Sequence, residues 1–254
     1  MSIRYQFEQG VATLTFDRPE KRNAITAAMY TAFVGHLHQA AADSAVRAVL
    51  VTGAGPAFTA GNDLKDFGDP RFAEPDSPVI SFMQALAVFE KPVVAAVNGM
   101  AVGIGVTMLL HCDLIYVADN ATFSMPFVNL GLVPEFGSTL LLPAIAGRVR
   151  AAEKLLLGRP FLAAEALVMG LANAVLPADE LLSHATAVAR SFNALPPGAV
   201  RDTKQLLRQA QADEVQAAIL REARCFGPRL AGAEAREAIA AIREKRPPDF
   251  SKLG

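Results

Sequence analysis

Twice in the first half of the chain a short aliphatic run stops at a glycine-bearing turn, and a helix-like pattern follows. Val46 to Val51 ends at Gly53-Ala54-Gly55-Pro56. Val93 to Val97 ends at Asn98-Gly99, ahead of Gly103-Ile104-Gly105. Runs this short and this apolar read as strands buried on both faces. Around them, Ile25, Met29, Phe33 and Leu37 recur every four residues behind a possible cap at Thr26, and Val79 to Phe89 carries a second helical pattern. Val11 to Phe16 alternates until Asp17-Arg18-Pro19 breaks it. Gly103 to Leu110 opens another apolar helix, and Leu114 to Val117 is a further strand. Alternation of this kind predicts an α/β fold: a mostly parallel sheet with helices packed on it.

The pattern changes after about Pro143. Ala151–Leu157, Ala163–Met169, Leu181–Phe192, Asp202–Gln211, Val215–Arg224 and Ala233–Glu244 all read as helices, with one strand at Ala174–Leu176. A chain of 254 residues suits one sizeable core with a helical extension. Asp66 to Pro78 has prolines, acids and no period, so it is either a functional loop or an exposed connection.

Composition excludes several classes. With 52% apolar and 19% charged residues the chain is globular rather than disordered. A net charge of -1 gives no field to attract nucleic acid or an anionic membrane, so no such partner is expected. Met1 to Phe16 lacks the apolar run of a signal peptide, and no stretch reads as a membrane span, so a cytoplasmic setting is expected. Cys112 and Cys225 are not spaced as a metal site or redox pair and read as reduced, buried thiols. No nucleophile elbow, phosphate loop or paired-histidine zinc motif is present, and Met108 stands where a dinucleotide fingerprint needs its third glycine. His36, His38, His111 and His184 fall at helical positions and read as structural.

Two turns and one carboxylate carry the chemistry. Phe58-Thr59-Ala60-Gly61-Asn62-Asp63-Leu64 and Asn98-Gly99-Met100-Ala101-Val102-Gly103-Ile104-Gly105 both follow strands, at the sheet end where ligands bind. Glycine lets their N–H groups approach a ligand, and one N–H from each could form an oxyanion hole. Such turns are also ordinary loop chemistry, and both readings stay open at this level. Glu135 is the lone acid in the segment Phe123 to Gly137. If Phe127, Leu130, Val133 and Phe136 surround it, burial raises its pKa and fits it for proton transfer. The alternative is an exposed Glu at a helix start after Pro134.

In order and spacing these segments resemble the crotonase (enoyl-CoA hydratase/isomerase) family. The resemblance runs from Asp17-Arg18-Pro19-Glu20-Lys21-Arg22-Asn23-Ala24 through Ala60–Leu64, Ala95–Gly99, Cys112-Asp113, Gly131–Pro134 and Gly170–Ala172 to Glu244–Pro247. It implies a spiral of ββα units over residues 1–195, and a C-terminal helical region over 196–254 used in trimerisation, with trimers pairing into hexamers. It also implies an acyl-CoA thioester substrate and no cofactor beyond that CoA. The oxyanion donors map onto the N–H groups of Asn62 and Ile104, flanked by Gly61 and by Gly103. Ala60, Gly61, Asn62, Asp63 and Leu64 look like the part that meets the adenine end of CoA. Lys21 and Arg22 either neutralise phosphate or are plain solvated surface.

Hydratases of the family carry two glutamates, at the positions of Thr107 and Phe127 here. Neither is acidic, and neither can both activate water and donate a proton. Met125 to Glu135 instead resembles the Δ3,Δ2-enoyl-CoA isomerases, in which one Glu follows such a proline. The resemblance therefore implies a double-bond isomerase with Glu135 as acid and base. A hydratase, another enolate-forming enzyme or a non-catalytic acyl-CoA binder are the alternatives. Phe136 stands where that subgroup has a small residue, which bears on the acyl pocket.

Overall fold

The structure, a computed structural model, describes residues 3–66, 74, 76–251 and 253. Most of the Asp66–Pro78 loop lies outside them. A six-stranded sheet forms the centre, in the order β1 (Ile3–Glu8), β2 (Val11–Phe16), β3 (Ala48–Gly53), β5 (Val93–Val97), β7 (Leu114–Ala118), β10 (Ala174–Leu176). Its first pair is antiparallel and the remaining pairs are parallel. β3 and β5 are buried throughout apart from the terminal Gly53, as continuous aliphatic runs require. A second sheet holds β4 (Ala57–Thr59), β6 (Met100–Val102), β8 (Thr122–Ser124) and β9 (Phe161–Leu162).

The two sheets expose a repeat that residue identity hides. Each of β3, β5 and β7 hands the chain to a short strand of the second sheet, and a helix follows each time: α2 (Pro78–Ala87), α3 (Ile104–Thr107) and α4 (Ser138–Ala146). This is the expected spiral of ββα units. Helix α1 (Ala27–Ala42) starts at Thr26, whose Oγ1 accepts from Met29 N, and buries Met29, Phe33 and Leu37. Ile25 is not part of it; it bridges to Asn62.

Helices dominate the rest: α5 (Arg148–Leu157), α6 (Ala163–Val168), α7 (Leu181–Ser191), α8 (Pro197–Gln209), α9 (Ala212–Leu230) and α10 (Ala233–Glu244). Helix α8 is tied to the sheet by charge. Lys204 Nζ donates to Asp113 Oδ2 and to Lys91 O, both at 2.6 Å, and Arg208 donates to His111 O at 2.6 Å. The expected Gly103–Leu110 helix is instead a four-residue α3 continued by a 3-10 turn, Met108–His111. Cys225 is exposed, not buried, because Glu222 and Phe226 take the inward face of α9; Cys112 is half-buried.

The motif Arg18 to Ala24 acts as a bracket. Asn23 is fully buried. Its Nδ2 donates to Ala54 O and Ala57 O, at 2.9 and 2.7 Å, and its Oδ1 accepts from Arg18 N at 2.9 Å. Its backbone sits at φ +57, a region Asn tolerates better than other side chains. Replacing Asn23 with Ala strips partners from three backbone groups and leaves the strained φ. We expect Asn23→Ala to cost about 2–4 kcal/mol in denaturant unfolding; a loss below the noise of that measurement would remove the bracket from this account.

Candidate active site

The first glycine turn is held by the same bracket. Ala60 N donates to Arg22 O, Ile25 N to Gly61 O and Asp63 N to Ile25 O, all within 2.8–2.9 Å. Thr59 Oγ1 donates to Asn23 O and accepts from Gly61 N. The Asp63 carboxylate takes Arg18 Nη1 at 2.6 Å. After these bonds, Asn62 N–H has no acceptor among the described residues. Lys21 and Arg22 are exposed beside the turn.

The second turn lies directly against the first. A Cβ on Gly61 would stand 2.6 Å from Val102 O, and Gly61 has φ +81. A Cβ on Gly105 would stand 2.5 Å from Thr59 Cγ2. Only glycine permits this approach. Gly103, at φ +56, donates its N–H to Ser124 O, and Ile104 N–H has no acceptor among the described residues. The Asn62 and Ile104 N–H groups, one on each turn, thus lie beside the contact between the turns. Because α3 is only four residues long, a helix dipole adds little at the Ile104 N–H.

One helical turn beyond Ile104, Thr107 Oγ1 donates to Glu135 Oε1 at 2.7 Å. Glu135 is 6% exposed, which removes the alternative of a solvated helix-start Glu. It faces a cavity walled by Val79, Ile80 and Met83 of α2, by Phe136, and by Ile219 and Phe226 of α9. Burial pushes the carboxyl up to about 8; the Thr107 bond opposes this, and the Glu222 charge adds to it.

The apolar surround is real, but its members differ from those expected. Phe136 lines the cavity, whereas Phe127, Leu130 and Val133 are not among its walls. The turn Val128–Leu130 packs against α5 and α10 instead. Phe136 occupies φ +63, a conformation that costs a non-glycine residue about 1 kcal/mol. It is held there by stacking on His111, centroids 3.9 Å apart, and by His111 Nε2–H donating to Phe136 O at 2.8 Å. Glycine would bear that φ at lower cost.

Three neighbours escaped the sequence. Tyr30 lies in the core on α1, and its hydroxyl donates to Asn62 Oδ1. Burial holds that phenol well above its ordinary value, and the Glu135 charge adds to the shift. Tyr30 thus holds the Asn62 side chain of the first glycine turn. His111 is pushed down to about 4 by burial and is neutral. Glu222 approaches from α9, with no sequence signal across 86 intervening positions. Among the described residues, no helix is long and apolar enough to cross a membrane.

The family model described as Enoyl-CoA hydratase/isomerase matches residues 6–252. Rat enoyl-CoA delta isomerase 2 is 36% identical over 246 residues, covering 94% of this chain; the chain spans 63% of that protein's length. The 2,3-dehydroadipyl-CoA hydratase of Escherichia coli K12 is 34% identical over 244 residues, covering 96% of each chain. The solved structure of Pseudomonas aeruginosa OdaA superposes with a TM-score of 0.92 at 50% identity, over 95% of this chain and 98% of that one. The chain belongs to the enoyl-CoA hydratase/isomerase, or crotonase, family, whose members act on acyl-CoA thioesters.

A carboxyl that binds its proton more tightly folded than unfolded lowers stability as pH rises between its two values. For Glu135 that window runs from the ordinary glutamate value of 4.5 to about 8. Glu135→Gln carries no such charge. We expect the variant to gain stability over the native chain as pH rises from 5 to 8, read by thermal unfolding. A difference that does not change with pH would contradict the raised carboxyl.

Proposed function

We propose that the chain is an acyl-CoA isomerase that moves the double bond of a 3-enoyl-CoA to the 2-position. The observation that carries this reading is the single carboxyl group, Glu135, in an otherwise apolar cavity. The Glu135 carboxylate takes a proton from C2. The thioester oxygen of the resulting dienolate is held by Asn62 N–H and Ile104 N–H, and Glu135 returns the proton at C4. One group serves as base and then acid, and apolar walls limit exchange with water.

The two positions that carry glutamates in hydratases support the same reading. Thr107 hydrogen-bonds to Glu135 instead of holding a second acid, and Phe127 is buried outside the cavity. Glu222 does not supply the missing acid, because its carboxylate is engaged by Gly137 and Thr139 and is not a cavity wall. In this reading Ala60, Gly61, Asn62, Asp63, Leu64 and Gly103 cradle the thioester and adenine end. Lys21 and Arg22 meet phosphate, and Phe136 shapes the acyl end; Phe127 and Leu130 support the site from outside the cavity. No cofactor beyond the substrate's own CoA is required, and the setting is cytoplasmic.

A homotrimer, or a dimer of trimers, belongs to the proposal, with residues 196–254 as the helical region beside the 1–195 core. Its support is exposed apolar surface: Val149, Leu156, Leu162 and Val168 are each more than 60% exposed in the isolated chain.

Glu135→Gln keeps the shape of the site and removes the base. We expect its turnover of a trans-3-enoyl-CoA to fall by about a thousandfold or more, with acyl-CoA affinity, measured by calorimetry, close to that of the native protein. Retained turnover would sink the proposal.

A further inference from the structure

Glu222 sits on α9, yet it is bound to the turn that presents Glu135. Its Oε2 accepts from Gly137 N at 2.6 Å, and its Oε1 accepts from Thr139 N at 2.9 Å and from Thr139 Oγ1 at 2.5 Å. The side chain is buried. All three partners donate, so they satisfy an ionised carboxylate. These donors open α4, whose own N-cap, Gly137, has no side chain to offer. Glu222 is the missing cap, delivered from another helix.

The turn needs that support. Phe136 and Gly137 are consecutive left-handed residues, at φ +63 and +72. His111 holds the Phe136 carbonyl from one side, and Glu222 holds the Gly137 N–H from the other. Glu135 immediately precedes this pair, and Ser138 N donates back to Glu135 O at 3.2 Å.

We propose that Glu222 is a positioning residue for Glu135: from α9 it caps α4 and so fixes the 135–137 turn that presents Glu135. The inference rests on the reading of Glu135 as the acid/base. It makes the C-terminal helices part of the catalytic apparatus.

Other charges around the pair do not compete with Glu222. Glu135 is faced by Thr107 from α3, Tyr30 from α1 and Glu222 from α9. Glu222 is faced by Thr139, with Arg221 next to it on α9. Tyr30 stays protonated and His111 stays neutral near neutral pH. Burial pushes the Glu222 carboxyl up, and its bonds to Thr139 and Gly137 oppose this.

The test compares the native protein with Glu222→Gln and Glu222→Asp in two ways. One is the pH dependence of kcat/KM and kcat with a trans-3-enoyl-CoA. The other is infrared titration of the Glu135 carboxyl in the unliganded protein, its band assigned by loss in Glu135→Gln. We expect Glu222→Gln to lower kcat by about tenfold or more with KM little changed. Its Glu135 titration moves to lower pH, because a like charge is gone. Glu222→Asp keeps the charge on a shorter arm, so it restores the titration toward native and leaves kcat low. A Glu222 that served stability alone would lower the unfolding midpoint and leave the titration unmoved, and that result overturns the proposal.

If Glu222→Gln fails to fold, Thr139→Val at an exposed position removes one donor. It should shift titration and kcat in the same directions by less, and native values for both would also overturn the proposal. Turnover surviving in Glu135→Gln would defeat the reading of the base, while the infrared shift would still decide the coupling on its own.

Discussion

Two strand-end turns touch at Gly61 and Val102 with no room for a Cβ between them, and the rest of the site is arranged around that contact. Parallel strands of the large sheet deliver both turns to one end of the molecule. The second sheet, through the β4–β6 pairing, brings them into register. The segment Arg18–Ile25 then holds the first turn through Ala60 N, Gly61 O, Asp63 N and Thr59 Oγ1. Among the described residues the Asn62 N–H on one turn and the Ile104 N–H on the other have no acceptor, and free donors near a buried carboxyl are what a developing enolate oxygen can use.

The carboxyl is the counterpart to that arrangement. A solvated Glu would be a weak base toward a carbon acid; enclosed by α2, Phe136 and α9, Glu135 binds its proton far more tightly. The aromatic series Tyr30, Phe82, Phe136 and His111 packs around it, with successive ring centroids 5.1, 5.9 and 3.9 Å apart. The same side chains that dry the site also hold Phe136 in its left-handed conformation. Burial and positioning are therefore two effects of one packing arrangement.

Much of this was readable from residue order, and the failures have physical causes. Long aliphatic runs announced β3 and β5, and the four-residue period announced α1, because burial on both faces or on one face leaves those signatures. The second sheet was invisible, since its strands are two or three residues long and show no period. Helix α4 was missed because Pro143 lies inside it. Glu135 and the glycine turns stood out as local features. Thr107 was noted only for what it lacks, and its bond to Glu135 was not legible. Glu222 and Tyr30 reach the site from distant helices, and helical period marks them only as face or core. The wall of the cavity was misassigned for the same reason: Val128–Leu130 is near Glu135 in sequence but turns toward α5 and α10, while α2 and α9 supply the walls.

The central claim is that one carboxyl, Glu135, lining an apolar cavity, moves a proton and adds no water. Incubating the native protein with a trans-3-enoyl-CoA and, separately, with a trans-2-enoyl-CoA while following the conjugated enoyl-thioester absorbance tests it most directly. The account predicts a rise with the 3-enoyl substrate and no loss with the 2-enoyl one. Loss of absorbance with the 2-enoyl substrate would mean that water is added across the double bond, and would contradict the roles given to Thr107, Phe127 and Glu135.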